Sequence, residues 1–167
     1  ELVTEKFKKN GGIMQGLQIW VNLPKKNKKV KPSYQHIKKD NIPTIKEHEG
    51  VEIKVLVGKV KDTESSIQTY SPVSILNIQF SKPDQISLDI SKNQTVMIYV
   101  IDGEIKFIKE NIIASKGHMI YFDKSSDKIN FTSISSNGSY LVLTGEPLNE
   151  SIVRHGPFVT NSEGEMK

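Results

Sequence analysis

The chain has 167 residues, a formal net charge of +4, no cysteine and one tryptophan. That length suits one domain with a piece of a second, and it allows an apolar core without cross-links. The missing cysteine excludes a disulfide framework and thiolate chemistry, and no run approaches the ~18 apolar residues a membrane-crossing helix needs.

In chain order, the first informative string is Gly16–Pro24, GLQIWVNLP. Its aliphatics beside Gln18 and Asn22, closed by a proline, predict a strand. Trp20 is expected in the core, with its indole N–H bonded to Gln18 on the same face. Next comes Lys25–Lys31, KKNKKVK. The run reads as a solvated linker that can steer an acidic partner. Without arginine or interleaved aromatics it predicts no direct nucleic-acid binding. Residues 25–44 form a connector containing Pro32 and Pro43, with Tyr34 and Ile37 as anchors.

Beyond the connector the apolar period is two. Val51, Ile53, Val55 and Val57 alternate with their neighbours, as do Leu76, Ile78 and Phe80, and then Ile86, Leu88 and Ile90. Ile105 and Phe107, and Ile129 and Phe131, repeat the pattern. Such alternation predicts strands with one buried face. Val96–Ile101, VMIYVI, is apolar on both faces and predicts an interior strand. Turn chemistry separates the runs at Lys82-Pro83-Asp84, Asp102-Gly103, Lys116-Gly117 and Asn137-Gly138. Asp102-Gly103 predicts a tight hairpin. The last motif, His155–Asn161 (HGPFVTN), reads as a turn with a buried aromatic. Many short strands and no long capped helix define an all-β sandwich or barrel.

Catalytic signatures are absent from this pattern. The histidines at 36, 48, 118 and 155 show no metal-ligand spacing, and neither a Gly-x-Ser-x-Gly elbow nor a Gly-rich phosphate loop occurs. His118, after Gly117, is expected to make a turn hydrogen bond, and His48 in Lys46–Glu49 is expected at the surface.

Five strings in this order carry a family resemblance: GLQIWVNLP, Pro32–Gln35 (PSYQ), Ser71–Val73 (SPV), Gly145–Leu148 (GEPL) and HGPFVTN. Along most of its length the chain resembles the pirin family. The resemblance implies two cupin (double-stranded β-helix) barrels in tandem, of which this chain holds part. Residues 1–24 would be a remnant of the N-terminal cupin, 25–44 a connector, and 45–167 the C-terminal cupin domain. It also implies an iron ion held in the N-terminal barrel by three His and one Glu. The activity implied is iron-dependent quercetin 2,3-dioxygenation, with a flavonol-like small molecule as ligand. The alternatives are a non-catalytic binding module acting as a transcriptional co-regulator, with a transcription factor as partner, and a degenerate product with a structural role. The expected setting is the cytoplasm, and the nucleus as well in a eukaryote.

The resemblance carries over one site residue. The family's His-x-Glu string falls on Val3-Thr4-Glu5, so Glu5 matches the metal-binding and catalytic glutamate, while Val3 stands where a histidine belongs. A hydrocarbon donates no lone pair, so this chain alone supplies at most one ligand. In a complete site Glu5 would also accept a flavonol hydroxyl proton. In the second barrel, the metal-cupin pattern ending at Gly103 meets ISLDISKNQTVMIYV, which has no His and no Glu, and its later histidine falls near Ile120. The chain by itself is therefore expected to be metal-free and inactive.

Overall fold

A computed structural model describes residues 5–122 and 127–166. Among them a short helix, α1 (Glu5–Asn10), precedes an all-β body. The strands are β1 (Thr44–His48), β2 (Val51–Val57), β3 (Lys59–Val60), β4 (Thr63–Glu64), β5 (Val73–Phe80), β6 (Asp84–Asp89) and β7 (Thr95–Asp102). They continue with β8 (Glu104–Phe107), β9 (Ile112–Ser115), β10 (Met119–Phe122), β11 (Lys128–Ser133), β12 (Gly138–Gly145), β13 (Val153–His155) and β14 (Phe158–Thr160).

Two antiparallel sheets make the barrel. The larger has the order β1-β2-β5-β12-β7-β10, the smaller β6-β11-β8-β9. The alternation read from sequence sorts the side chains as expected. Val51, Ile53, Val55, Ile78, Ile98, Val100, Ile105 and Val142 are all fully buried. Leu76, Phe80, Ile86, Leu88, Phe107, Ile129 and Phe131 join the same cluster. Each such side chain contributes about 1.5–3 kcal/mol of transfer free energy. β7 lies inside the larger sheet between β12 and β10, the interior place its sequence predicts, with Val96, Ile98 and Val100 buried.

An aromatic group fills the space between the sheets. Phe131 packs at 5.8 Å from Tyr140, 6.1 Å from Phe80 and 6.2 Å from Phe107, centroid to centroid. Tyr140 is fully buried. Its hydroxyl donates to the Glu104 carbonyl at 2.7 Å and shares a second 2.7 Å hydrogen bond with Ser133 Oγ. One phenol thereby ties β12 in the larger sheet to β8 and β11 in the smaller. Burial raises its pKa above the ordinary tyrosine value, and the negative charges of Asp102 and Glu104 add to this against the lowering effect of the Ser133 bond. Gly138 makes room for that arrangement. A methyl group there would sit 2.5 Å from the Tyr140 hydroxyl.

Several expectations are corrected. Gly16–Pro24 forms no strand. A strand exists by pairing its backbone groups, and no strand lies beside this segment among the described residues. Trp20 is accordingly 60% exposed rather than in the core. Tyr34, expected as an anchor, is also exposed and stacks only on His36. The connector is held instead by Gln35, whose side-chain amide donates to the Gln68 carbonyl and accepts from the Gln68 N–H, both at 2.8 Å. Ile37 is half-buried as expected. Asp102-Gly103 is a corner, not a hairpin, because β7 and β8 belong to different sheets. Gly103 has φ +83°, and a Cβ there would meet the Asn137 carbonyl at 2.8 Å. The turn of HGPFVTN does join a hairpin, β13 to β14, but its Phe158 is exposed.

Candidate functional site

A cupin barrel does its chemistry inside, so the interior positions decide what this barrel can hold. The place of the later histidine is taken by Ile120, paired with Ile98, and Phe122 beside it pairs with Val96. Ile90, Ile120 and Phe122 pack against the buried cluster that contains Val96. Phe122 also meets Phe107 edge-on at 5.4 Å. These positions offer hydrocarbon where a metal would need lone pairs. Phe107, Phe131 and Tyr140 are at most 3% exposed, and Phe107 and Phe131, together with Val96 and Phe122, also line a cavity of about 850 Å³.

The four histidines are scattered. His48 Nδ1 lies 3.2 Å from Asp84 Oδ2, a contact that links the end of β1 to the start of β6. His118 makes the expected turn contacts, with its Nδ1 3.0 Å from the Ser115 N–H. His36 stacks on Tyr34, and His155 is exposed on β13. Among the described residues no group of three His, Cys, Asp or Glu side chains converges as a metal site would. The donor set present therefore does not fit an iron ion.

Glu5 opens α1, exposed, with its carboxylate 2.7 Å from Lys8 Nζ. Sequence reasoning places it in a metal site; among the described residues no other potential metal ligand converges on it. Val3 lies outside the described residues.

The cavity of about 850 Å³ beside Phe107 and Phe131 extends along β6 and β11, where Ile86 and Ile129 also line it. Gln85, Ser87, Asn130 and Thr132 line it, and the His48–Asp84 pair contributes to its wall. Those side chains alternate with the buried Ile86, Ile129 and Phe131. Period-two patterning predicts this polar face; it does not predict that β1 brings His48 to it.

A second polar cluster joins the two ends of the chain. Glu150 Oε2 accepts the Lys25 backbone N–H at 2.7 Å and the Asn161 amide at 3.3 Å. The same amide donates to the Ser151 carbonyl at 2.8 Å. Asn161, the last residue of HGPFVTN, is buried, and its Oδ1 has no partner among the described residues. The motif thus closes a junction between the connector and the C-terminal tail. Sequence inspection marked the string but not its partner, because the contact spans the whole chain.

Two packed antiparallel sheets in this strand order define a cupin. The description "Pirin C-terminal cupin domain" matches residues 75–167, more than half of the chain. The chain belongs to the pirin family. It is 33% identical to pirin from Rattus norvegicus over 154 residues, covering 90% of this chain and 52% of that protein. It is 29% identical over 168 residues to a putative quercetin 2,3-dioxygenase from Pseudomonas aeruginosa, covering 99% and 57%. Among solved structures it is similar to a quercetin 2,3-dioxygenase from Acinetobacter baumannii, with a TM-score of 0.81 and 28% identity over 88% of this chain and 51% of that one. The chain spans a little over half the length of these relatives. No helix among the described residues is long and apolar enough to cross a membrane.

Proposed function

We propose that this chain is the metal-free half of a pirin-type oxidoreductase. In this reading the complete protein carries out iron-dependent oxygenation of a flavonol-like substrate, of the quercetin 2,3-dioxygenase type. Residues 45–167 serve as the C-terminal cupin domain, residues 25–44 as the connector, and residues 1–24 as the end of a preceding cupin domain. Glu5 is the one residue of this chain assigned to the iron site, and its histidine partners are not among the four found here. The cytoplasm is the proposed setting.

The donor-poor barrel interior carries this reading. Ile120, Phe122 and Val96 offer no lone pair at the place where a metal cupin would hold its ion, which supports a role for this half as a rigid support. Likeness to two proteins named as quercetin 2,3-dioxygenases supports the activity proposed for the whole.

Metal analysis of the purified chain, with oxygen uptake on quercetin, tests it. The expected outcome is no stoichiometric iron and no turnover by the chain alone. One equivalent of tightly held iron, or oxygen consumption that depends on quercetin, would overturn the assignment of this half as a support.

A further inference from the structure

The corner where β7 gives way to β8 brings together two dipeptides of the same chemistry. Asp102-Gly103 turns the chain from the larger sheet into the smaller, and Asn137-Gly138 turns it back from β11 into β12. The two steps touch. A Cβ on Gly103 would lie 2.8 Å from the Asn137 carbonyl oxygen and 3.2 Å from Gly138 Cα. An aspartyl or asparaginyl residue before glycine closes readily into a five-membered ring, because glycine has no side chain to obstruct its own backbone nitrogen. That nitrogen attacks the carbonyl carbon of the preceding side chain, and the group on that carbon departs.

At this corner Asn137 is the reactive member. Its side chain is exposed, and it expels ammonia. Asp102 would have to expel hydroxide, and Lys116 Nζ holds its carboxylate at 3.2 Å. What restrains Asn137 is its neighbour. Gly138 is buried and pairs with Phe80 in the ladder. A Cβ on Gly138 would meet the Tyr140 hydroxyl at 2.5 Å and Ser133 Oγ at 2.7 Å, so this glycine has no slack on that side. The same phenol is anchored on the Glu104 carbonyl, and the Glu104 N–H donates to Ser135 Oγ at 2.8 Å. Swinging the Gly138 nitrogen onto the Asn137 side chain turns the peptide between them and drags Gly138 through this close packing.

We propose that Asn137 is a modification site gated by the Tyr140 corner: the closed barrel suppresses ring closure, and an opening of the corner releases it. The step balances with water as the sole co-reactant. The Gly138 nitrogen gives up its proton and bonds to Asn137 Cγ, and the side-chain nitrogen leaves with that proton as ammonia. Water then opens the cyclic imide at one of its two carbonyls. The product is aspartate, or isoaspartate with the main chain routed through the former side chain. Isoaspartate lengthens the backbone by one atom just ahead of Gly138, where even a methyl group has no room. Either product sets a new carboxylate at a corner whose Asp102 and Glu104 already act on Tyr140, and like charges resist re-closure. The change runs one way, so a barrel that has opened here is marked.

Incubating the 167-residue chain in mildly alkaline buffer, folded and in denaturant, and mapping its peptides by mass spectrometry tests the proposal. Asn10-Gly11 is the internal reference. It lies at the exposed end of α1, where a Cβ on Gly11 would meet nothing within 4 Å. In denaturant the two asparagines are expected to lose ammonia at similar rates. In the folded chain Asn137 is expected to lag Asn10 by about tenfold or more. Tyr140→Phe, which removes the anchoring hydroxyl, is expected to speed Asn137 by about tenfold and leave Asn10 unchanged. Should that variant fail to fold, Ser133→Ala keeps the phenol, removes its second partner and is expected to act in the same direction. Equal rates at the two sites in the folded chain overturn the proposal. So does an Asn137 that stays slow in denaturant, or one that no folded variant of the pair accelerates.

Discussion

Gly16–Pro24 and Val96–Ile101 are the two most apolar runs on either side of the connector, and they meet opposite fates. Val96, Ile98 and Val100 are buried, with paired strands on both sides. Leu17, Ile19, Trp20 and Val21 are 39–60% exposed, with no strand beside them. Composition does not separate the two. What separates them is whether the same fold supplies a neighbour for the backbone and a facing sheet for the side chains. Hydrophobicity proposes a strand; a partner within reach makes one.

The largest test of this contrast lies at the barrel centre. Phe131→Ala removes the ring that meets Phe80, Phe107 and Tyr140 and is expected to cost about 3–5 kcal/mol in chemical denaturation. A cost under 1 kcal/mol would show that this aromatic cluster is loosely packed.

Tyr140→Phe comes next. It strips Ser133 Oγ and the Glu104 carbonyl of a buried partner, at an expected cost of about 1–3 kcal/mol. Its pH signature is specific. The folded pKa of Tyr140 is raised, so the folded state holds this proton more tightly than the unfolded chain does. The resulting stability is fully present below the unfolded tyrosine value of about 10 and is lost as pH rises from there through the folded value. Of the five tyrosines, one is expected to yield its tyrosinate absorbance only on alkaline unfolding, and that delayed step should vanish in Tyr140→Phe.

Trp20→Ala is expected to be the mildest of the three. Within the isolated chain it should change stability by no more than about 0.5 kcal/mol, although it removes the largest side chain in the sequence. A larger loss would mean that this segment is packed in solution, and the contrast with Val96–Ile101 would collapse.

These cases mark what was legible in the sequence. The strands of the barrel were, because period-two alternation is imposed locally by the pleat and reappears unchanged as burial. The lack of histidine at the positions of the metal-cupin pattern was legible too, since Ile120 is hydrocarbon and Ile86–Val100 has no His and no Glu whatever the geometry. The Asp102-Gly103 corner was misread because the same φ > 0 chemistry serves a hairpin and a change of sheet; only the pairing of β8 with β11 decides between them. Trp20 and Tyr34 were misread because aromatic residues were assumed to find a core. The Gln35 clasp, the Tyr140 bridge and the Asn161 junction could not be read at all. Each joins residues whose nearness is a product of the finished fold.

The pin between Lys25 and Glu150 has one further consequence. Trp20 lies five positions before the pinned amide, so its Cα stays within about 18 Å of that of Lys25 even when the backbone is fully extended. Whatever grips that indole is therefore delivered to the β13–β14 hairpin at high local concentration, and the short leash turns a feeble grip into a useful one.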